Sequence, residues 1–241
     1  MKVDYGLDAP GVVRGFAIAG ALLAGATVVL IVAGLPVAPE LFGLGAVMFL
    51  ATVAAMIHSS RRGKLLERDR LLDGLRLSGD EDVLDVGCGR GLLLIGAAKR
   101  LPDGRAVGVD LWSPADQSGN RREATLANAE AEGVGERVEV VDGDMRALPF
   151  ADASLDAVVS SIAIHNLDDA DDRERACLEI ARVLRPGGRV AVLDFRATQQ
   201  YAHAFEDAGL ADVARSGRSF GCTRRSGSSR RAAPAISSRC A

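Results

Sequence analysis

The sequence predicts an α/β domain with a doubly wound, mostly parallel sheet, preceded by a hairpin of two transmembrane helices. Two observations favour this fold class. Residues 1–60 contain two long uncharged apolar runs, whereas from Glu81 to about Phe195 short apolar runs alternate with helical patterns. Alternation of this kind indicates βαβ units, which set strands in parallel and cover both faces of the sheet with helices.

The amino-terminal hairpin is predicted from the length of its apolar runs. Gly15–Leu35 has no charged residue and is long enough to supply the roughly 20 residues that cross the hydrocarbon core as a helix. Leu41–Ile57 is a second, shorter run that follows a break at Pro36–Glu40. A signal peptide followed by a buried helix is the alternative. We disfavour it because the first run is too long for a signal-peptide core and lacks a clear cleavage site.

Charged residues predict the orientation of this hairpin. The segment after the second run is rich in basic residues, namely Arg61, Arg62, Lys64, Arg68 and Arg70. Lys2 and Arg14 precede the first run, and the connecting turn carries only Glu40. Lys and Arg are in excess on the cytoplasmic flanks of transmembrane helices. We therefore expect a multi-pass protein of the cell membrane, with both termini and the α/β domain in the cytoplasm.

The elements of the α/β domain are predicted from hydrophobic periodicity and turn residues. Its predicted strands are Asp82–Val86, Ala106–Asp110, Val138–Val141, Leu155–Ser160 and Arg189–Asp194. Its predicted helices are Gly63–Leu77, Leu92–Leu101, Asn120–Glu132, Asp171–Leu184 and Gln199–Ala208. Pro186-Gly187-Gly188 is expected to end the helix before the fifth strand. A further edge strand is predicted at Ala211–Ser216.

The composition argues against several classes of function. The formal net charge of -3 offers no broad attraction to nucleic acid, and an aromatic content of 4% is too low for a platform that stacks bases. The four cysteines are far apart and form no C-x-x-C pair, which argues against a zinc site and a disulfide framework. We therefore expect no metal site and no nucleic-acid partner.

Val83–Gly91 combines an apolar strand, a glycine-rich turn and the start of a helix. Gly87, Gly89 and Gly91 allow the backbone to turn tightly and a ligand to lie against it. A G-x-G-x-G pattern alone also suits dinucleotides, which leaves a dinucleotide-dependent oxidoreductase as an alternative. The dinucleotide pattern, however, places its third glycine one residue later. Here, in addition, Asp85 stands two positions before the first glycine.

These residues resemble the first motif of class I S-adenosylmethionine-dependent methyltransferases, which have a Rossmann-like fold. That motif is an acidic residue followed by G-x-G-x-G, matched here by Asp85, Gly87, Gly89 and Gly91. The resemblance covers about residues 65–195, and it is similar to the small-molecule type found in ubiquinone and menaquinone biosynthesis. It implies S-adenosyl-L-methionine as the cofactor and methyl transfer as the reaction.

The resemblance also implies the residues that contact the cofactor. Asp110, at the end of the second strand, would bind both ribose hydroxyls, and its neighbours would cover one face of the adenine. Asp144 would meet the adenine amino group, and Met145 would pack on the ring. The full predicted cofactor-binding set is Asp85, Gly87, Cys88, Gly89, Gly91, Asp110, Leu111, Trp112, Asp144, Met145 and Ser160.

His165 is the predicted catalytic residue. It follows the fourth strand, at the carboxyl edge where open α/β sheets place their ligands. Imidazole titrates near neutral pH and can take a proton from a hydroxyl or an activated carbon. The alternative is a structural role beneath the cofactor.

The resemblance does not identify the methyl acceptor, but the hairpin favours a small, lipophilic or amphiphilic one at the cytoplasmic face of the membrane. The expected partners are therefore this acceptor and the lipid bilayer, and the oligomeric state stays open. A membrane-anchored module that binds S-adenosylmethionine without turnover is a second alternative, because its glycine turn and carboxylates would look the same.

Three segments are expected: the hairpin over residues 1–60, the methyltransferase domain over 61–218, and a basic low-complexity tail over 219–241. The family ends with an antiparallel strand beside strand five, and this tail lacks the alternating apolar pattern that predicts such a strand. A disordered tail is one interpretation. Another is a frameshift near Gly221, since the same codons read from the third base are compatible with an apolar strand. Resequencing the gene tests that hypothesis.

Overall fold

The computed structural model describes residues 3–7, 10–35, 37–113, 119–215 and 223–225. These residues fall into two compact units. One unit holds the described part of Gly6–Glu67 together with Gly119. The other holds the described residues up to Tyr5 and those from Arg68 onward, apart from Gly119.

The first unit is built on two antiparallel helices, α1 (Pro10–Ala33) and α2 (Pro39–His58). Small residues let their backbones approach closely: a Cβ added at Gly20 would lie only 3.0 Å from Cγ of Leu50. The rings of Phe16 and Phe49 meet edge to face with their centroids 5.3 Å apart. Both helices are long and apolar enough to cross a membrane, judged by length and composition, and 6% of each apolar window is buried.

A π-helical turn at Ser59–Gly63 follows α2 directly and leads into α3 (Lys64–Leu75). α3 confirms the predicted helix, and its Leu71, Leu72 and Leu75 are buried. These three leucines pack within the second unit against the apolar side of the sheet that follows.

The second unit contains a seven-stranded sheet with the strand order β3-β2-β1-β4-β5-β7-β6. The five parallel strands are β1 (Asp82–Val86), β2 (Arg105–Asp110), β3 (Val138–Asp142), β4 (Leu155–Ser161) and β5 (Leu184–Leu193). The two antiparallel strands at the far edge are β6 (Leu210–Ala211) and β7 (Thr223–Arg225).

Helices cover both faces of this sheet. They are α4 (Leu92–Ala98), α5 (Arg122–Ala131), α6 (Ala170–Val183) and α7 (Thr198–Asp207). Val83 of β1 packs into the cluster formed with α3, α4 and α5, whereas its neighbour Leu84 packs into the cluster formed with α6 and α7. Strands buried on both faces are apolar at successive positions, so the doubly wound α/β prediction is confirmed.

One predicted boundary is wrong. Pro186-Gly187-Gly188 was expected to separate the helix from the fifth strand, but α6 ends at Val183 and β5 begins at Leu184. The pairing with β4 shifts register between Leu155 and Ala157, which accommodates the extra residues. A Cβ at Gly188 would lie 2.9 Å from the carbonyl oxygen of Arg185, so this irregular stretch of β5 requires a residue without a side chain.

The expectation that the tail supplies no strand is also corrected. Thr223–Arg225 pairs antiparallel with β5, where Arg224 faces Arg189, and with β6. The last antiparallel strand is therefore present but only three residues long. Main-chain hydrogen bonds alone can hold so short a strand. The sequence therefore shows no alternating apolar pattern from which the strand could be predicted. The remaining predicted tail residues, and Ser216 of the predicted edge strand, lie outside the described residues.

Candidate functional site

The glycine turn, defined as Gly87–Gly91, follows β1 at the carboxyl edge of the sheet. Gly87, Gly89 and Gly91 have φ values of +71°, +49° and +84°, a region that glycine adopts readily and other residues avoid. The amides of Gly87 and Cys88 both donate to the carbonyl oxygen of Val109, at 2.8 and 3.2 Å. These bonds fold the turn over the end of β2.

Asp85 supports this turn from below. Its side chain is buried, and its Oδ2 accepts a hydrogen bond from the amide of Leu94, 2.8 Å away in α4. Burial, together with the negative charge of Asp110, raises the pKa of Asp85 to about 7. The carboxylate therefore fixes the start of α4, and its predicted contact with a cofactor stays a prediction.

Asp110 joins the glycine turn to the loop after β2. Its Oδ2 accepts from the amide of Gly89 at 2.8 Å, and its Oδ1 accepts from the amide of Trp112 at 2.7 Å. The indole Nε1 of Trp112 donates to Oδ1 of Asp142 at 2.6 Å, which fixes the ring beside the end of β3. Leu111 is 60% exposed. The structure thus brings Gly89, Asp110 and Trp112 together, as the cofactor-site prediction requires.

Asn120 is a candidate that the sequence analysis missed. Its Nδ2 donates to Oδ1 of Asp110 at 3.3 Å and to the carbonyl oxygen of Ser113 at 3.4 Å. Its Oδ1 is buried and has no hydrogen-bond partner within the described part of the chain. A buried acceptor beside Asp110 fits a ligand hydroxyl or amino group. The sequence signal was only a polar residue at the predicted start of a helix.

Asp144 and Met145 follow β3 and lie in different surroundings. Asp144 accepts from the amide of Arg146 at 2.9 Å and pairs with its guanidinium group at 2.5 Å. The hydrogen bonds from Arg146 lower the pKa of Asp144. Met145 lies next to the glycine turn, with its Cε 3.6 Å from the position of a Cβ at Gly87. The predicted adenine contact of Asp144 remains a prediction, and that carboxylate already has a cationic partner.

The side chains of Ser160 and Cys88 point into the domain. The hydroxyl of Ser160 is buried and donates to the carbonyl oxygen of Val86 at 2.8 Å, which ties β4 to β1. The thiol of Cys88 packs against Gly108, and burial raises its pKa well above its ordinary value. Only the main chain of Cys88, which belongs to the glycine turn, lies at the carboxyl edge of the sheet.

His165 lies in a short 3₁₀ turn, Ile164–Asn166, after β4. Its Nδ1 is 3.0 Å from Oδ1 of Asp194, and its amide donates to Oδ2 of the same carboxylate at 3.2 Å. The Asp194 side chain is fully buried at the end of β5. The two strands thus place an imidazole and a carboxylate in contact at the carboxyl edge of the sheet.

Tyr201 and Phe195 complete this group, which sequence reasoning also missed. The hydroxyl of Tyr201, in α7, donates to Oδ2 of Asp194 at 3.4 Å. Burial and the adjacent Asp194 raise the pKa of Tyr201. The ring of Phe195 lies 4.4 Å from the His165 ring, centroid to centroid, and Phe195 is 70% exposed. An acid directly after an apolar strand was the available signal for Asp194.

Backbone strain is concentrated in the loops at this edge. Trp112 after β2, Ile162 after β4 and Ala197 after β5 have φ values of +58°, +51° and +54°. A β-branched residue such as Ile162 rarely adopts this region. Such strain persists only where surrounding contacts hold it, and it is typical of functional sites. The strained residues follow three parallel strands whose carboxyl ends lie at the same edge as the glycine turn and His165.

The comparison with protein families identifies this region. Residues 84–192 match the family model described as a methyltransferase domain. The matched segment begins in β1, contains the glycine turn, Asp110 and His165, and ends in β5. Residues 84–192, a little under half of the chain, are therefore similar in sequence to a methyltransferase domain. The resemblance to class I methyltransferases stated from the sequence motifs is therefore confirmed for this segment.

Individual proteins resemble the methyltransferase domain in sequence and in fold. The chain is 38% identical over 128 residues to the ubiquinone/menaquinone biosynthesis C-methyltransferase of Dinoroseobacter shibae, a match that covers 53% of this chain and 48% of that protein. It is 34% identical over 128 residues to the demethylmenaquinone methyltransferase of Thermus thermophilus, covering 53% of each. The chain thus spans about half the length of these relatives. A SAM-dependent methyltransferase from Aquifex aeolicus shares the fold with a TM-score of 0.53 and 20% identity, over 68% of this chain and 89% of that one.

Proposed function

We propose that the methyltransferase domain transfers a methyl group from S-adenosylmethionine to a small lipophilic acceptor at the cytoplasmic face of a membrane. The observation that carries this proposal is the hydrogen bond from Gly89 to Asp110. It joins the glycine turn and a strand-end carboxylate at one point, inside the segment that matches the methyltransferase family.

The residues around this bond fit the cofactor. Asp110 accepts three hydrogen bonds, from Gly89, Trp112 and Asn120. Because an ionised carboxylate has about four acceptor sites, Asp110 can still accept from a ribose hydroxyl. The Oδ1 of Asn120, which has no hydrogen-bond partner among the described residues, is a second acceptor beside it. We assign Asp110 and Asn120 to the ribose and the glycine turn to the part of the cofactor that lies against the main chain.

His165 is the proposed general base. Its buried Nδ1 lies 3.0 Å from Oδ1 of Asp194 but forms no hydrogen bond with it in the described structure. A small rotation of the ring would let Nδ1 donate to Asp194, which would leave Nε2 available to the acceptor and would stabilise the imidazolium that forms. The bound cofactor supplies a methyl group on a positively charged sulfur. His165 takes the proton that the acceptor loses as its nucleophilic atom gains the methyl group. Holding the acceptor in line supplies much of the remaining acceleration.

The acceptor class is proposed from the surface near His165 and from the relatives. Leu111, Ile162 and Phe195 follow β2, β4 and β5 and are 60%, 48% and 70% exposed. An apolar rim at the carboxyl edge favours a lipophilic molecule. The two curated relatives are named for ubiquinone/menaquinone biosynthesis and for demethylmenaquinone. We therefore propose an acceptor of the quinol type.

Membrane anchoring is proposed from the first unit. Apolar side chains of both helices are largely exposed, for example Leu22 at 70% and Leu41 at 70%. Nζ of Lys64, after α2, donates to the carbonyl oxygen of Gly6, before α1, at 2.6 Å. The segments that enter and leave the helix pair therefore meet, as expected for a hairpin that crosses twice. The basic residues after α2 favour a cytoplasmic position for the domain.

The proposed reaction is tested with the full-length chain in phospholipid vesicles. Reduced demethylmenaquinone in the bilayer is the acceptor, and S-adenosylmethionine carries a labelled methyl group. We expect label in the extracted quinone and a saturable dependence on S-adenosylmethionine. Cofactor binding measured by calorimetry without label transfer, to this quinone or to any component of native membranes, would support the binding module instead.

The role of the hairpin is tested separately. In one variant, a flexible soluble linker replaces residues 10–58 and residues 1–7 are kept. Activity on the vesicle-embedded quinol is expected to fall, whereas activity on a soluble short-chain analogue is retained. An equal loss on both acceptors contradicts the proposed role of the hairpin in access to lipophilic substrates.

A further inference from the structure

The short segment Val3–Tyr5, ahead of the first apolar helix, lies on α5 of the methyltransferase domain. The amide of Asp4 donates to Oδ1 of Asn128 at 3.0 Å, and Nδ2 of Asn128 donates to the carbonyl oxygen of Asp4 at 2.9 Å. Asn128 is buried. Its side-chain amide therefore pairs with both polar groups of the Asp4 main chain, as a neighbouring strand would.

The same face of α5 holds the glycine turn. Nδ2 of Asn128 also donates to the carbonyl oxygen of Arg90 at 3.0 Å. One helical turn earlier, the hydroxyl of Thr125 donates to the carbonyl oxygen of Gly89 at 2.5 Å. Because residues three apart lie on one face of a helix, one face of α5 donates hydrogen bonds to two successive carbonyl groups of the turn. Asn128 thus links the turn to Asp4.

The side chain of Arg90 makes a second link between the turn and the amino-terminal segment. Its Nε donates to the carbonyl oxygen of Asp4 at 2.7 Å, and its Nη2 lies 2.9 Å from Oδ2 of Asp4. Beyond Asp4, the hydroxyl of Tyr5 donates to Oε1 of Glu132 at 3.2 Å. The segment is therefore attached to the glycine turn at one residue and to the end of α5 at the next.

We propose that Val3–Tyr5 is a positioning segment of the cofactor site, in which Asp4 holds Asn128 and Arg90 and thereby keeps the glycine turn in its binding conformation. This inference rests on the proposed function. Since coupling between two binding events is reciprocal, cofactor binding also tightens the attachment of the segment. The residues before the hairpin thus take part in cofactor affinity without touching the cofactor.

The test uses the full-length chain in detergent, with S-adenosylmethionine titrated by calorimetry. Asp4→Pro removes the main-chain donor and leaves the buried Oδ1 of Asn128 without it, so the Kd is expected to rise about tenfold. Asp4→Ala removes only the carboxylate, which is 67% exposed, so a rise of about two- to threefold is expected. Asp4→Asn keeps the main chain and a side-chain oxygen and restores most of the affinity.

Two measurements separate positioning from a general loss of structure. Glu123→Ala removes one carboxylate from an exposed position of α5 and is expected to leave the Kd unchanged. At saturating cofactor, Asp4→Pro is expected to keep the wild-type kcat with a raised KM for S-adenosylmethionine. Hydrogen exchange at the Asp4 and Tyr5 amides should slow when the cofactor binds to the wild-type protein.

The outcomes are distinct. The inference is supported if the wild-type protein binds S-adenosylmethionine, Asp4→Pro binds it more weakly, and amide hydrogen exchange at residues 4 and 5 slows when the cofactor is added. Wild-type affinity in Asp4→Pro, or exchange that ignores the cofactor, overturns the inference and leaves the proposed function in place. A wild-type protein that binds no S-adenosylmethionine overturns the proposed function, and the inference falls with it.

Discussion

Two parts of the carboxyl edge are held together in different ways. The turn half, defined as Gly87–Gly91 with Asp110, is fixed mainly by main-chain amides that donate to carbonyl and carboxylate oxygens. The histidine half, defined as His165, Asp194 and Tyr201, is fixed by side chains from β4, β5 and α7 that meet at one buried carboxylate. Backbone conformation therefore governs the first half, and side-chain chemistry governs the second.

The two halves therefore tolerate different substitutions. Substitutions at the glycines of the turn act through added atoms or an unfavourable φ, whereas substitutions of the side chains that hold the turn, such as Asn128, act through lost hydrogen bonds. Substitutions in the histidine half remove a proton-accepting or charged group, and they leave the backbone in place. Substitutions in the two halves should therefore separate cofactor binding from catalysis.

The largest effect is expected at Gly87. An added Cβ would lie 2.3 Å from Cβ of Ala163, and the residue has a φ of +71°. Gly87→Ala should cost about 2–5 kcal/mol of unfolding free energy from strain and overpacking together. The displaced turn should weaken S-adenosylmethionine binding by about hundredfold or more. Urea unfolding and calorimetry measure these two quantities.

Gly133→Ala is the matched control for this substitution. Gly133 has nearly the same φ, +72°, but no atom lies within 4 Å of its added Cβ. Only the conformational cost of about 1–2 kcal/mol is expected there, with cofactor affinity unchanged. If the two variants lose affinity equally, the contact between Gly87 and Ala163 does not control the turn. That result would contradict the claim that backbone packing governs the turn half.

The second effect is expected at His165. His165→Gln removes the proposed base and should lower kcat by about hundredfold or more, within the range of general base catalysis. The Kd for S-adenosylmethionine should stay at its wild-type value, because the described polar and ring contacts of His165 are with Asp194 and Phe195 and not with the glycine turn. His203→Gln, at an exposed position of α7, should leave kcat unchanged. A full kcat in His165→Gln assigns this residue a structural role instead.

The same contrast explains what could be predicted from the sequence. The parallel strands and the glycine turn are local signals, because periodicity and glycine spacing are readable within a few residues. β1 was predicted at its observed limits, Asp82–Val86, and His165 was proposed from its position after β4. The partners of His165 were not found, because Asp194 and Tyr201 come from β5 and α7 and only the folded sheet brings them together.

Other misses have the same physical origin. Asn120 looks like an ordinary polar residue at the start of a helix. It is marked only by its buried Oδ1 beside Asp110, which has no hydrogen-bond partner in the part of the chain that the structure describes. Strand β7 is three residues held by main-chain pairing, which leaves no side-chain pattern. The attachment of Asp4 to Asn128 joins two segments that are 124 residues apart in the sequence. None of these contacts has a signature within a short window of sequence.

The smallest expected effect is a pH dependence of the free energy of unfolding, and it arises from Asp85 beneath the glycine turn. The pKa of Asp85 is raised from 3.8 to about 7, chiefly by burial, so the folded state binds its proton more tightly than the unfolded state. The associated stability is fully present below the unfolded pKa and is lost as pH rises through about 7. Its slope reaches about 1.4 kcal/mol per pH unit. Relative to Asp85→Asn, which cannot titrate, the wild-type domain should lose about that amount between pH 5 and 6.

Urea unfolding followed by the fluorescence of Trp112, the single tryptophan of the chain, measures this difference. Carboxylates with a lowered pKa, such as Asp144 beside Arg146, gain their stability above an unfolded pKa near 4 and lose it only below that value. Their contribution is therefore constant across pH 5–8, where Asp85 titrates. A difference between wild type and Asp85→Asn that stays constant from pH 5 to 8 means that Asp85 ionises normally beneath the turn. In that case the hydrogen bond from Leu94 outweighs the cost of burying the charge.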